Sequence, residues 1–436
     1  MPVRTGTESG LRYYLVSFDA DGNERPEPTG ELLSRAVVDE CANGSVTDVF
    51  LVSHGWMGDV PAAIRQYDRW IAAMGRCTSD LEALRKVDPL FQPLVIGLHW
   101  PSLPWGDEEL GSSSFSAEGA GGIDEWIARY AARIADTPNA RSALRTVFET
   151  ALEDVAPAAL PAAVRNAYVV LDRETGMSHD GDSPDDDREC FDPDFVYEES
   201  TADEMASFDA PWYGGILSPL RLLSFWKMKN RSRLFGEGAA RMLLRELQRA
   251  SPPAIRYHLI GHSFGCIVAS SMLRGRGVSV PLDRPVQSLT LMQGALSLWS
   301  FCAELPHKRG TAGYFNDVIH PEYVAGPVLT TQSEHDTAVG FFYPIAAGAR
   351  RQIAYAAPQL PKYGALGTYG ARGPGLQVVD LGMLPVTGDY GFRAGAVYNI
   401  DATEYICDGR GMSGAHNDIA KPQIAHAIWQ AVQVRA

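Results

Sequence analysis

Residues Tyr257-His258-Leu259-Ile260 form an apolar, strand-prone run that leads at once into Gly261-His262-Ser263-Phe264-Gly265 and then into a helical pattern from Cys266 to Leu273. A chain that turns from strand to helix over so few residues must bend sharply. The serine at the bend has to adopt a strained backbone conformation, which projects its hydroxyl above the sheet. The glycines on either side are needed because a Cβ there would collide with the neighbouring strand or helix. The G-x-S-x-G string alone arises often by chance, and the strand–turn–helix context is what makes it informative.

The same alternation runs through much of the chain. Strand-like runs are predicted at Tyr13–Phe18, Val49–Val52, Pro93–Trp100, Arg256–Ile260, Ser288–Met292, Val328–Thr331, Gln377–Leu381 and Ala396–Ile400. Helical spacing is predicted at Glu31–Cys41, from the N-cap Asp59 to Met74, at Glu237–Arg249 and at Ile419–Val434. Strands alternating with helices imply a mostly parallel sheet with helices on both faces. The rhythm lapses between residues 101 and 234, so the expected organisation is a core of 1–100 and 235–436 carrying a large, mainly helical insertion. Within the insertion, 111–122 is rich in Gly and Ser, helices are expected at Ile123–Ala135 and Ala140–Glu153, and the carboxylate-rich 180–204 reads as a solvated loop. Trp212–Arg233 mixes large apolar residues with Arg and Lys and reads as amphipathic. A lid helix with its apolar face over a pocket is the preferred reading, with Leu220, Leu223, Phe225 and Trp226 touching substrate. Contact with a membrane surface through 212–233 is the other reading.

With its serine turn and the strand Val49–Val52 running into Ser53-His54-Gly55-Trp56, the chain resembles the α/β-hydrolase superfamily, in its esterases and lipases. The resemblance covers roughly residues 11–100 and 235–436. It implies that Ser263 is a nucleophile and that the backbone N–H groups of Trp56 and Phe264 form an oxyanion hole, because acyl transfer builds negative charge on a carbonyl oxygen. His54 is then a structural histidine of the turn. A serine hydroxyl needs a histidine to take its proton and a carboxylate to hold that histidine. In this superfamily these follow the serine in the order acid, then histidine. Asp336, in the polar loop after the strand Val328–Thr331, looks like the acid, with Glu334 as the alternative. His416, in the Gly411–Ile419 loop before the last helix, looks like the base, ahead of His335 and His426. The insertion stands before the serine turn rather than after the following strand, and 80 residues separate acid from base, both departures from the common pattern.

Composition narrows the partners. Asp and Glu outnumber Lys and Arg by 53 to 38, a formal charge of −15 over 436 residues. This gives no basic surplus for a phosphate backbone, so nucleic acid is not expected. Six scattered cysteines without a C-x-x-C pair disfavour both a zinc site and a disulfide framework, and neither a metal nor a cofactor is expected. No apolar run reaches membrane-spanning length, Met1–Gly10 lacks the apolar core of a secretory signal, and a cytoplasmic location is expected. The expected activity is cleavage of a small carboxylic ester with an apolar part through an acyl-enzyme. Amide cleavage and acyl transfer use the same three residues, and a silent binding protein is the reading from a different class.

Overall fold

The computed structural model describes residues 3–5, 11–56, 60–102, 122–175, 191–201, 215–277, 281–342, 360–409 and 414–435. The expected N-cap Asp59, nearly all of the 111–122 stretch, 180–190 and 202–204 of the acidic stretch, and Trp212–Gly214 lie outside those residues.

One sheet organises the chain, in the order β1-β2-β4-β3-β5-β6-β7-β9-β8. The strands are β1 (Val3–Thr5), β2 (Arg12–Ser17), β3 (Asp48–Ser53), β4 (Pro93–His99), β5 (Arg256–His262), β6 (Ser288–Met292), β7 (Val328–Gln332), β8 (Val378–Gly382) and β9 (Val397–Asp401). Strands β2 to β9 pair in parallel, and only β1 is antiparallel, on β2. Every residue of β3 is buried, as a strand covered on both faces requires. Phe50 and Val52 join a core with α2 (Val60–Arg76), α3 (Thr78–Val87) and the final helix Pro422–Gln433. Val49 and Leu51 alternate to the opposite face, where α10 (Gly265–Arg274) packs on β3, β5 and β6. On that side α1 (Leu33–Asn43) packs against β2 and α9 (Arg241–Ala250). The protein therefore has an α/β fold built on an eight-strand parallel sheet. Among the described residues no helix is long and apolar enough to cross a membrane.

The chain divides into two compact units. The first comprises 1–102, 231–340 and 364–436 and holds the sheet; the second comprises 103–230 and 341–363. The second is helical, with α4 (Gly122–Ile134), α5 (Pro138–Glu153), α6 (Ala162–Glu174), α7 (Pro193–Thr201) and most of α8 (Ser218–Phe235). Thr137 caps α5 by accepting the Ala140 N–H at 3.1 Å, with Pro138 in the first turn where its missing N–H costs nothing.

Two expectations for this region are corrected. Part of the acidic stretch is helix, not loop. Asp192 Oδ1 accepts the N–H groups of Asp194 and Phe195 at 3.1 and 3.2 Å, and Phe195, Val196 and Tyr197 are buried. Local capping and an apolar triplet outweigh the surrounding charge. Nor does α8 present an amphipathic face. Leu220 and Leu223 sit in the unit's own core with Leu144, Val147, Phe148 and Tyr168. Leu222, Phe225, Trp226 and Met228 are buried too, and buried Lys229 sets its Nζ 4.7 Å from the Trp226 ring centre. Apolar and basic residues are interspersed around the helix rather than sorted onto two faces, and the buried ones supply no exposed apolar surface for a lipid.

At the amino ends of the central strands, Asp48 Oδ1 accepts from His258 Nε2 at 3.0 Å and pairs with Arg256 at 2.6 Å, while His258 Nδ1 takes the Ser288 hydroxyl at 2.8 Å. Burial works to raise the Asp48 pKa, yet His258 and Arg256 hold it below the ordinary value. Burial depresses the His258 pKa, against the pull of Asp48. Both shifts make the folded state bind fewer protons than the unfolded chain, so stability must fall with pH. The loss begins below about pH 6.5 for the histidine and deepens below about pH 3.9 for the carboxylate. Asp48→Asn should lower stability by about 3–5 kcal/mol at neutral pH, because Arg256 loses its buried partner. It should also flatten the acid part of the curve. Denaturant titrations from pH 8 to 3 check this, and equal acid slopes in both proteins would contradict it.

Candidate active site

In open parallel sheets, sites form beyond the carboxyl ends of the strands, where the strand order reverses. Here β3 leads outward to β4, and the chain then crosses back over β3 to lay down β5. The reversal falls between β3 and β5. The residues singled out from sequence follow the carboxyl ends of β3 (His54, Trp56), β5 (Ser263, Phe264), β7 (Asp336) and β9 (His416).

Ser263 has φ +56, in the left-handed region that side chains disfavour. Its N–H donates to Met292 O at 3.1 Å, and its carbonyl accepts from Cys266 at 3.1 Å and Ala295 at 3.3 Å. The backbones around it touch. A Cβ on Gly265 would lie 2.1 Å from Ser53 O, and one on Gly261 would lie 2.4 Å from Gly265 O. Gly55 comes just as close, since a Cβ there would lie 2.5 Å from Ser263 Cβ and 3.1 Å from its Oγ. Phe264 caps α10, whose N-terminal end carries the positive pole of its peptide dipoles toward the serine. The Trp56 and Phe264 rings pack with centroids 6.1 Å apart.

His54 is wholly buried and serves the turn. Burial pushes its pKa down to about 4 and that of His99 to about 2. Both rings are therefore neutral at pH 7. His54 Nδ1–H donates to Gly55 O at 2.8 Å, which leaves Nε2 to accept from His99 Nδ1 at 3.0 Å. Stacked on Trp100, the His54 ring locks the carbonyl of the glycine that abuts Ser263.

Asp336 and His416 meet directly. Asp336 Oδ2 lies 2.7 Å from His416 Nδ1. A carboxylate only accepts, so Nδ1 carries a proton and donates it to this bond. Asp336 is buried and also accepts from Gln293 Nε2 at 2.8 Å and from the Val339 N–H at 3.2 Å. The two loops close on each other through Ala415 N–H to His335 O at 2.8 Å. Gly414, at φ +49, has no room for a side chain, because its Cβ would lie 2.4 Å from His335 O. Glu334 is exposed, 3.8 Å from His335, and has no contact with His416 among the described residues.

Sequence reasoning missed two residues here. His262 donates Nε2–H to His416 O at 2.9 Å and accepts from Gln66 Nε2 at 3.2 Å, with its ring 4.8 Å from that of His416. Burial pushes its pKa well down and keeps it neutral. It thereby ties the histidine loop to the residue before Ser263. The other is Gln293, directly after β6. The His signal lay inside the serine motif, but Gln293 has no sequence signature. Among the described residues no hydrogen bond joins Ser263 Oγ to the His416 ring. Cys407, Asp408 and Asp418 form an exposed acidic cluster, but Lys421 Nζ already occupies it, 2.8 Å from Asp408 and 3.0 Å from Asp418.

No protein-family model, curated protein or solved structure matches the chain.

Gly55→Ala tests the packing at the serine independently of any activity. The added methyl group should cost roughly 1–3 kcal/mol of stability and displace the Ser263 side chain. Chemical denaturation and a crystal structure of the variant measure both, and an equally stable variant with Ser263 unmoved would contradict the geometry.

Proposed function

We propose that this chain is a serine hydrolase of the α/β-hydrolase type that cleaves a carboxylic ester through an acyl-enzyme. The observation that carries the reading is the 2.7 Å bond from His416 Nδ1 to buried Asp336, in the same carboxyl-end cluster as the strained Ser263. Asp336 fixes the tautomer in which His416 Nε2 is a base. In the first half-reaction Nε2 takes the Ser263 proton as Oγ attacks the ester carbonyl carbon. The Trp56 and Phe264 N–H groups receive the developing oxyanion, helped by the positive end of α10. Collapse breaks the ester bond, and the departing alkoxide takes the proton from His416. Water then attacks the acyl-serine with His416 again as base, and on collapse the bond from the acyl carbon to Ser263 Oγ breaks, Oγ takes the proton back from His416, and the acid leaves. Three donors hold the Asp336 carboxylate in place throughout, so that it keeps the His416 ring aimed. Burial of Leu220, Leu223, Phe225 and Trp226 removes the sequence-based reason for choosing a particular acyl length, so the proposal rests on the ester bond itself.

Two substitutions test the roles. A fluorophosphonate should label the wild-type protein at Ser263 and leave Ser263→Ala unlabelled though folded; labelling at a different serine would overturn the assignment. With p-nitrophenyl butyrate as substrate, Asp336→Asn should lower kcat on the order of 10⁴-fold, because the wrong His416 tautomer results. A greater loss from Glu334→Gln would move the acid role to Glu334.

A further inference from the structure

Among the described residues only two non-glycine residues have positive φ, Ser263 at +56° and Gln293 at +47°. Such strain persists only where the surroundings enforce it, and it gathers at functional sites. Ser263 is the proposed nucleophile. Gln293 is fully buried, and every polar atom of its amide is engaged. Nε2 donates to Asp336 Oδ2 at 2.8 Å and to Gly367 O at 3.2 Å. Oε1 accepts the Thr331 hydroxyl at 2.9 Å, and Thr331 Oγ1 accepts the Gln293 N–H at 3.0 Å. Carboxylate and carbonyl oxygens only accept, so these partners allow one orientation of the amide. The 366–369 turn presses on the same residue, since a Cβ on Gly367 would lie 2.7 Å from Gln293 C.

We infer that Gln293 is a positioning residue, which holds the Asp336 carboxylate in the orientation that aims His416. The inference rests on the proposed hydrolase reading. Oδ2 receives both Gln293 Nε2 and His416 Nδ1, so the glutamine fixes the oxygen that the histidine uses. Without it, the donor to the carboxylate seen among the described residues besides His416 is the Val339 N–H, which reaches the other oxygen, Oδ1. The backbone link matters equally. Met292, the residue before Gln293, accepts the Ser263 N–H at 3.1 Å. One strained turn after β6 therefore grips the nucleophile's backbone on one side and the acid's side chain on the other. A residue with negative φ would direct its side chain elsewhere, which gives the strain a purpose.

Q293G and Q293N test this, because Gly and Asn both tolerate the left-handed backbone and neither places an amide 2.8 Å from Asp336. Thermal melts should show both variants folded. With p-nitrophenyl butyrate, kcat should fall roughly 10- to 100-fold in each while KM holds, the loss expected for one hydrogen bond to a charged group. In proton NMR of the wild-type protein, the His416 Nδ1–H should resonate downfield of the amide region, and in both variants it should move or vanish by exchange. A merely structural glutamine would leave that resonance in place. A folded variant with wild-type kcat, or a loss confined to KM with the resonance unmoved, overturns the inference and leaves the hydrolase reading standing. A wild-type protein that neither turns over the ester nor reacts with a fluorophosphonate at Ser263 overturns both.

Discussion

Backbone packed against backbone at the carboxyl ends of β3 and β5 is the constraint on which the rest depends. Gly261, Gly265 and Gly55 each approach a neighbour so closely that a single methyl group would have to displace main-chain atoms or Ser263 itself. This contact sets the left-handed conformation of Ser263 and the start of α10, and it brings the His54-Gly55-Trp56 turn against the serine. The buried, neutral pair of His54 and His99 holds the turn from behind. The parallel sheet supplies rigidity, because its central strands are covered on both faces and cannot shift register without exposing a whole row of apolar side chains.

Around that contact the polar groups form a continuous chain. From Gln66 it runs through His262 to the carbonyl of His416, from the His416 ring to Asp336, and from Asp336 to Gln293 and Thr331. Each donor faces an acceptor, and the neutral state of His262 follows from its burial. In a site shielded from water, a fully satisfied network of this kind fixes side-chain direction more tightly than single contacts do. The proposed hydrolase chemistry needs that rigidity at one atom, His416 Nε2.

What could be read from the sequence was what is local. The serine turn is spelled by contiguous residues, and the run after Val49 is equally compact. The predicted strands from Tyr13–Phe18 to Ala396–Ile400 correspond to β2–β9 with shifts of a residue or two at their ends. Asp336 and His416 were accessible only through the order of residues along the chain; that they touch is a tertiary fact. Gln293 was invisible because its φ and its partners come from β7, the Asp336 loop and the 366–369 turn, none adjacent in sequence. The misreading of α8 has the same origin. Its leucines and basic residues suggest two faces, and only packing with α5 and α6 shows that Leu220 and Leu223 belong to a core.

The most direct measurement is a crystal structure of the protein after reaction with a fluorophosphonate, whose tetrahedral phosphorus imitates the intermediate of ester cleavage. The proposed chemistry requires a covalent bond from Ser263 Oγ to phosphorus. It also requires a phosphonyl oxygen about 2.7–3.1 Å from the backbone nitrogens of both Trp56 and Phe264, with His416 Nε2 turned toward the serine oxygen. A phosphonate bound to another residue, or one on Ser263 with its oxygen turned away from those two nitrogens, would contradict it.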